Sequence, residues 1–357
     1  MSPFKRSLIL IAVAALAVSL MACSKQGGEE SGGDPVVTVI YDPLSLGDRS
    51  YNDLIYSGVE RAAIEKGLKT YHYSPQSFGE GRQILEKTIS EMASARDGVK
   101  RLLIVASESY DNIVRTNNKK LEANPNADLL YLETNKPLEG KGSTLDLPYY
   151  GALYEAGALL PAFSIHARVM GANPHSRAVS QAIAGFRAGF ATTHIKSSLP
   201  ILQDEKTVSV EYLSQDAGGG FSISDADALR IMYPEGEEFW NSYTLIPICG
   251  GAGGTFSRLV NLLGNYQYMG IDTAVPSAYC QVSAVKHIDR ALLLCIDQWL
   301  QGGLPAHQTL GLRSGYTGVE LNPIENQAKE SMKKDISAAA RELIHQEAIE
   351  EEEAYEN

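Results

Sequence analysis

The sequence predicts an α/β protein of two Rossmann-like lobes with parallel central sheets. From Val36 onward, short β-branched or apolar runs alternate with amphipathic stretches at helical spacing, the order that builds parallel sheets covered by helices. The alternation passes through two similar series in succession, and 357 residues suit two domains on one chain.

The first series opens with the strand Val36–Ile40. A polar stretch, Asp48-Arg49-Ser50-Tyr51-Asn52-Asp53, precedes Leu54, Ile55, Val59, Ala62 and Ala63 at helical spacing, with Gly67 as a stop. A strand at Lys69–Tyr73, a helix from Gly81 to Ala95, the strand Arg101–Ala106, a helix from Asp111 and a strand at Asp128–Leu132 follow. The helix Gly151–Phe163 leads to the second series. Its strands are Arg168–Gly171, Thr207–Tyr212, Tyr243–Ile248 and Tyr268–Ile271; its helices are Ala178–Phe190, Ser224–Met232 and Thr255–Leu263. Cys280–Val285 and the helix Ile288–Leu300 then return the chain to the first lobe. Residues 335–357, rich in Ala and Glu, read as a surface helix fraying into a solvated acidic tail.

The amino terminus assigns the compartment. Lys5 and Arg6 precede an apolar run, Leu8 to Leu20, that is short for a bilayer span, so residues 1–22 read as a signal peptide. Leu20-Met21-Ala22-Cys23 resembles the lipobox of bacterial lipoproteins, in which the cysteine thiol takes the lipid. Residues 23–35 are polar and Gly-rich, a flexible tether. The protein is then extracytoplasmic and held to a membrane through a lipid anchor only; Ser24, in place of an aspartate, favours an outer membrane. Removing Lys5 and Arg6 takes the formal charge from −12 to −14, which argues against nucleic acid as a partner. Of the remaining cysteines, Cys249, Cys280 and Cys295, at least one is unpaired. A Cys249–Cys280 disulfide stays open, and buried thiols are the default expectation.

In an open parallel sheet the loops at the carboxyl ends of the strands carry the ligand site. Here they are Tyr41 to Asp53, Ser107-Glu108-Ser109, Ser214 to Phe221, Gly250 to Thr255 and Asp272-Thr273. Asp48, Tyr51 and Asn52 offer a carboxylate, an aromatic face and an amide at one helix start, although spacing alone favours Ser50 or Asn52 as a helix cap with Tyr51 as a staple. The segment Gly250-Gly251-Ala252-Gly253-Gly254-Thr255 lacks the spacing of a dinucleotide loop and the lysine of a P-loop. It suits either a close backbone approach to a neutral ligand or a tight turn. Asp272 and Lys286 could share a sugar, or form an ordinary ion pair. Histidine pairs at metal-ligand spacing and nucleophile elbows do not occur. No catalytic residue, metal or cofactor is therefore expected.

Taken in order from about Val36 to Asn322, these segments resemble the basic membrane protein family, the PnrA-like purine nucleoside receptors, which are lipoproteins of the type I periplasmic-binding-protein architecture. Asp48–Asp53 resembles the family's D-x-S-F-N segment, with Tyr for Phe. Tyr154-Glu155-Ala156-Gly157-Ala158 resembles its Gly- and Ala-containing helix, Gly185-Phe186-Arg187-Ala188-Gly189 its G-F-x-x-G segment, and Cys249–Gly253 its A-A-G-G-T-G loop. Gly270-Ile271-Asp272 and Ser283–Asp289 match its G-V-D and T-S-x-x-K-R-x-D segments. The resemblance implies a base sandwiched between the rings of Tyr51 and Phe221, with polar contacts from Asp48 and Asn52. It implies a ribose held by Asp272 and Lys286, with the Gly250-Gly251 backbone nearby. Ser107 and Glu108 depart from the family's loop, and a carboxylate there can accept from a base or from another ligand. Residues 36–150 plus 284–304 would form the first lobe and 165–272 plus 320–334 the second. Crossovers near 146–165, 272–284 and 303–320 would let them close on the ligand. The implied function is capture without chemistry by a monomer, for an ABC permease and ATPase. Another small ligand, such as a sugar or modified base, and a nucleoside hydrolase-like enzyme are the alternatives.

Overall fold

The computed structural model describes residues 33–43, 45–195, 206–234, 243–264, 266–275, 277–322 and 336–356. The signal peptide, Cys23, nearly all of the tether and residues 323–334 lie outside them.

Elements in chain order are β1 (Val36–Ile40), α1 (Tyr51–Lys66), β2 (Lys69–Tyr73), α2 (Phe78–Ser94), β3 (Arg101–Val105), α3 (Asp111–Asn117), β4 (Ala127–Leu132) and β5 (Ser143–Asp146). Next come α4 (Tyr150–Leu159), β6 (His166–Gly171), α5 (Arg177–Ala191), β7 (Thr207–Tyr212), α6 (Asp225–Met232), β8 (Thr244–Ile248), α7 (Gly251–Leu263) and β9 (Gln267–Asp272). The last are β10 (Cys280–Lys286), α8 (Ile288–Leu300), β11 (His307–Thr309), β12 (Thr317–Leu321) and α9 (Ala338–Glu356). Helix starts follow their capping chemistry: Ser77, Ser176 and Ser224 each accept a backbone N–H from the first turn of α2, α5 and α6. Gly67 and Gly264 end α1 and α7 in the left-handed conformation.

The strands form two six-stranded sheets of matching order, β11-β5-β4-β3-β1-β2 and β12-β10-β9-β8-β6-β7. All neighbours are parallel except the β10–β12 pair. The interior strands β1, β3 and β8 are almost entirely buried, as their continuous apolar runs require. The edge strands β2 and β7, with KTYHY and TVSVEY, alternate between half-buried and exposed positions. In each sheet the order reverses between the first and third strands of the series, and the ligand crevice of such a fold opens at that reversal.

The chain passes between lobes three times, and the second passage differs from the expectation. Cys280–Lys286 does not leave the second lobe. It pairs with β9, Val285 opposite Asp272, so the crossing falls at His287 and Lys286 ends a second-lobe strand. Beyond it, α8 buries Ile288, Leu292, Ile296 and Trp299 in the first lobe's core. The other crossings fall between β5 and α4 and between β11 and β12, within the expected intervals but narrower.

Two adjacent helices explain the small-residue segments. All ten residues of α4 are buried, as a helix apolar on every side but for Glu155, which pairs with His345 of α9, demands. Its partner α5 approaches so closely that a Cβ at Gly189 would lie 1.9 Å from the Tyr154 carbonyl, and one at Gly185 2.2 Å from that of Tyr150. The G-F-x-x-G segment is thus a helix-packing device. The remaining face of α4 is covered by α9, where Ile344, Ala348 and Ile349 are buried. Residues 338–356 are therefore a docked helix, not a solvated tail, because α4 leaves apolar surface that needs a cover.

Candidate functional site

Between the carboxyl ends of the two sheets lies a cavity of about 370 Å³. Asp48, Tyr51, Asn52, Ser107, Glu108, Phe221, Gly250, Gly251, Asp272 and Lys286 all line it, while Ser109, Ser214 and Thr273 of the strand-end loops do not. The structure adds Asp42, Phe78, Glu133, Tyr149 and Ser176.

The loop before α1 shows how the local sequence builds the wall. Asp53 accepts the amides of Gly47 and Arg49 at 2.7 and 2.8 Å. Asp48 accepts those of Ser50, Asn52 and Asp53 at 2.8, 3.0 and 3.2 Å, and its Oδ2 also accepts the Asn52 side-chain amide at 2.9 Å. Asp48 is therefore the cap of α1, the part that the sequence left to Ser50 or Asn52. Ser50 makes no capping bond; its hydroxyl donates across the cleft to Asp272 Oδ2 at 2.5 Å. Asn52 gives its Nδ2 to Asp48, which leaves its oxygen to find another partner. That oxygen is buried and has no hydrogen-bond partner.

The glycine-rich segment is the first turn of α7 rather than a loop before it. A Cβ at Gly251 would stand 3.1 Å from Asp48 Cβ, and one at Gly254 2.8 Å from the Asp48 carbonyl. Glycine here lets the first-lobe loop lie directly on a second-lobe helix start. Gly250, at φ +53, turns β8 into that helix. The same economy shapes Gly218-Gly219-Gly220, where a Cβ at Gly220 would lie 2.0 Å from the Ala172 carbonyl. Phe78 packs on Gly218 from the opposite lobe, and Phe221 packs on Gly250.

Lys286 does not pair directly with Asp272. Its ammonium donates to both oxygens of Glu133 at 3.1 and 3.2 Å and lies 4.8 Å from the Tyr149 ring centroid and 5.6 Å from that of Tyr51. Burial pushes the Asp272 carboxyl upward, while the Lys286 charge and the Ser50 hydrogen bond oppose the shift. Asp42, bonded to the Ser107 hydroxyl, is raised to about 6 by burial. Burial also raises Glu108, whose Oε2 accepts the Arg177 amide at 3.3 Å from the start of α5. Five carboxylates thus surround the cavity with one lysine among them, a wall made to accept hydrogen bonds.

Cys249 lines the same cavity, and burial raises its thiol far above the ordinary range, so it stands as a neutral thiol. Cys249, Cys280 and Cys295 are all free and buried, and no Cys249–Cys280 bond forms. Among the described residues, no group of three or more metal-ligating side chains occurs and no helix is long and apolar enough to cross a membrane. The strand-end rule reaches Glu133 and Ser176 once applied after β4 and β6 as well. Tyr149, within the first crossing, carries no such signal.

A scan against protein-family models finds no match. Over 90 residues the chain is 30% identical to an uncharacterised lipoprotein of Pyrococcus furiosus; the segment is 25% of this chain and spans 22% of that relative. Solved structures match over far more. A solute-binding protein of an ABC transporter system from Aeropyrum pernix K1 superposes with a TM-score of 0.63 at 13% identity, over 90% of this chain and 92% of that one. The fold is that of the type I periplasmic binding proteins. A transcriptional activator of the comK gene from Bacillus halodurans matches at 0.61 and 15%, over 86% and 97%. A periplasmic solute-binding protein of Actinobacillus succinogenes, solved with D-allose, matches at 0.55 and 14%, over 84% and 100%. Receptors and regulators share this architecture, so function has to be argued from the site.

Proposed function

We propose that the protein is an extracytoplasmic solute-binding lipoprotein that captures a purine nucleoside between its lobes and presents it to an ABC permease and ATPase. The observation that carries the ligand is the Asn52 oxygen, a buried acceptor without a partner in the wall beside the Tyr51 ring. A group of this kind calls for a donor from the ligand, and a heterocyclic N–H next to a flat aromatic face supplies one. Phe78 and Phe221 supply further aromatic surface, and Asp272 and Glu133 accept from ribose hydroxyls. The mechanism is capture without chemistry: contacts from both lobes favour the closed form, and the transporter reads closure. The solute-binding neighbours and the lipoprotein relative support its coarser part, a small-molecule receptor held by a lipid anchor. Lipid attachment at Cys23 anchors the chain, and outer-membrane placement rests on Ser24 alone.

A free sugar is the second reading, favoured by the carboxylate-rich wall. A thermal-shift screen separates the two: a ligand at about 100 times its Kd adds about 2.7 kcal/mol of stability. A shift with inosine, guanosine or adenosine and none with ribose or allose supports the nucleoside. Shifts with sugars alone replace it.

A further inference from the structure

The helix α9 does more than cover α4. Glu352, buried in its last turns, accepts the Gly151 amide at 2.8 Å with one oxygen and the Leu312 amide at 2.9 Å with the other. Gly151 lies just beyond the first crossing and Leu312 within the third. One carboxylate therefore ties together two of the three passages between lobes. The approach depends on glycine: a Cβ at Gly311 would lie 2.3 Å from Glu352 Oε1, and one at Gly151 2.8 Å from Oε2. Tyr355 stacks on Tyr150 at 4.4 Å beside the first crossing. Glu356 pairs with Arg177 at 3.7 Å and accepts from Gln181. Arg177 carries the contact onward: its guanidinium pairs with Asp146 at the end of β5 in the first lobe, and its amide donates to Glu108 in the cavity wall.

We propose that α9 is a hinge brace, with Glu352, Glu356 and Arg177 as positioning residues that favour the closed arrangement of the lobes without touching the ligand. Opening a two-lobed protein concentrates the backbone change in its crossings. A carboxylate fixing the spacing of two crossings opposes that change, and the Arg177–Asp146 pair spans the lobes. Since apparent affinity scales with the fraction of binding-competent molecules, loosening the brace weakens binding in proportion to the closed population lost.

The test reads lobe spacing directly. Spin labels on cysteines introduced at Gln83 and Ala226, exposed positions on α2 and α6, report the distance between lobes in the chain with Cys23 replaced by serine, Cys249, Cys280 and Cys295 being buried. In Glu352→Gln the amide can still accept one N–H but turns its own donors toward the other. The expected result is a longer, broader distance distribution without ligand and about tenfold weaker inosine binding. Arg313→Ala, which removes an exposed pair with Glu353 on the same helix, leaves both unchanged. Glu356→Gln gives an independent reading should Glu352→Gln fold poorly. Unaltered distances in both brace variants overturn the proposal. The affinity arm rests on the nucleoside reading: absence of inosine binding by the wild-type protein defeats that reading, while the distances still decide the brace.

Discussion

Glu133 and Asp272 are counterparts. Each stands at the carboxyl end of the equivalent strand of its sheet, β4 in the first and β9 in the second. Both adopt the left-handed conformation, at φ +59 and +66, rare for residues with side chains. Both carboxylates face Lys286, Glu133 through an ion pair and Asp272 through its charge. Backbone strain of this kind persists where surrounding structure enforces it, and it gathers at functional sites. Breaking a buried ion pair by removing one partner costs about 3–5 kcal/mol. Glu133→Gln should fall near the lower end, about 3 kcal/mol, because Asp272 still offsets the Lys286 charge. Urea unfolding measures it. A loss below about 1 kcal/mol, within the range of exposed pairs, would show that the pair is open to solvent.

Stacking of a base on an aromatic ring contributes about 1–3 kcal/mol. Phe221→Ala should therefore weaken guanosine binding by roughly 5- to 150-fold while leaving any binding of free ribose unaltered. Titration calorimetry with the two ligands measures both. Equal losses for guanosine and ribose would mean that Phe221 shapes the cavity without meeting a base.

Both lobes and the cleft were legible because continuous apolar strands and capped helices carry strong local signals, and strand-end loops then locate the crevice. What stayed hidden depends on contacts distant in sequence. Ser143–Asp146, His307–Thr309 and Thr317–Leu321 are short strands that complete sheets only through partners elsewhere in the chain. The role of Ser50 was misread because its partner, Asp272, lies in the other lobe. The acidic composition of the last residues masked Ile344, Ala348 and Ile349. An α4 apolar throughout except for Glu155 was the available clue that another element must cover it. The glycines of 251–254 read as a loop because their low helix propensity is overridden by the approach of Asp48.

Gly189→Ala tests the helix-packing account of the G-F-x-x-G segment. The added Cβ meets backbone rather than a flexible side chain, so α4 and α5 must separate. Overpacking of this kind costs about 1–3 kcal/mol. A lowered melting temperature with ligand specificity retained is the expected outcome. A variant as stable as the wild type would contradict the close approach.

Burial raises the carboxyls of Glu352 to about 7 and of Asp42 and Asp146 to about 6, against about 4 in an unfolded chain. Between these values the folded protein holds protons that the unfolded chain has lost. Stability from these groups is therefore complete below about pH 4 and is lost as the pH rises through 6 and 7. His307, lowered by burial, acts in the opposite sense below about pH 6.5, so the total curve mixes signs. The difference between wild type and Glu352→Gln isolates one group. Across urea melts from pH 5 to 8, wild-type stability should fall more steeply than that of the variant, with the divergence building from pH 5 and levelling off above about pH 7. Parallel curves would mean that Glu352 is ionised throughout this range in the folded protein. The two backbone amides of Gly151 and Leu312 would then hold its charge more firmly than burial opposes it.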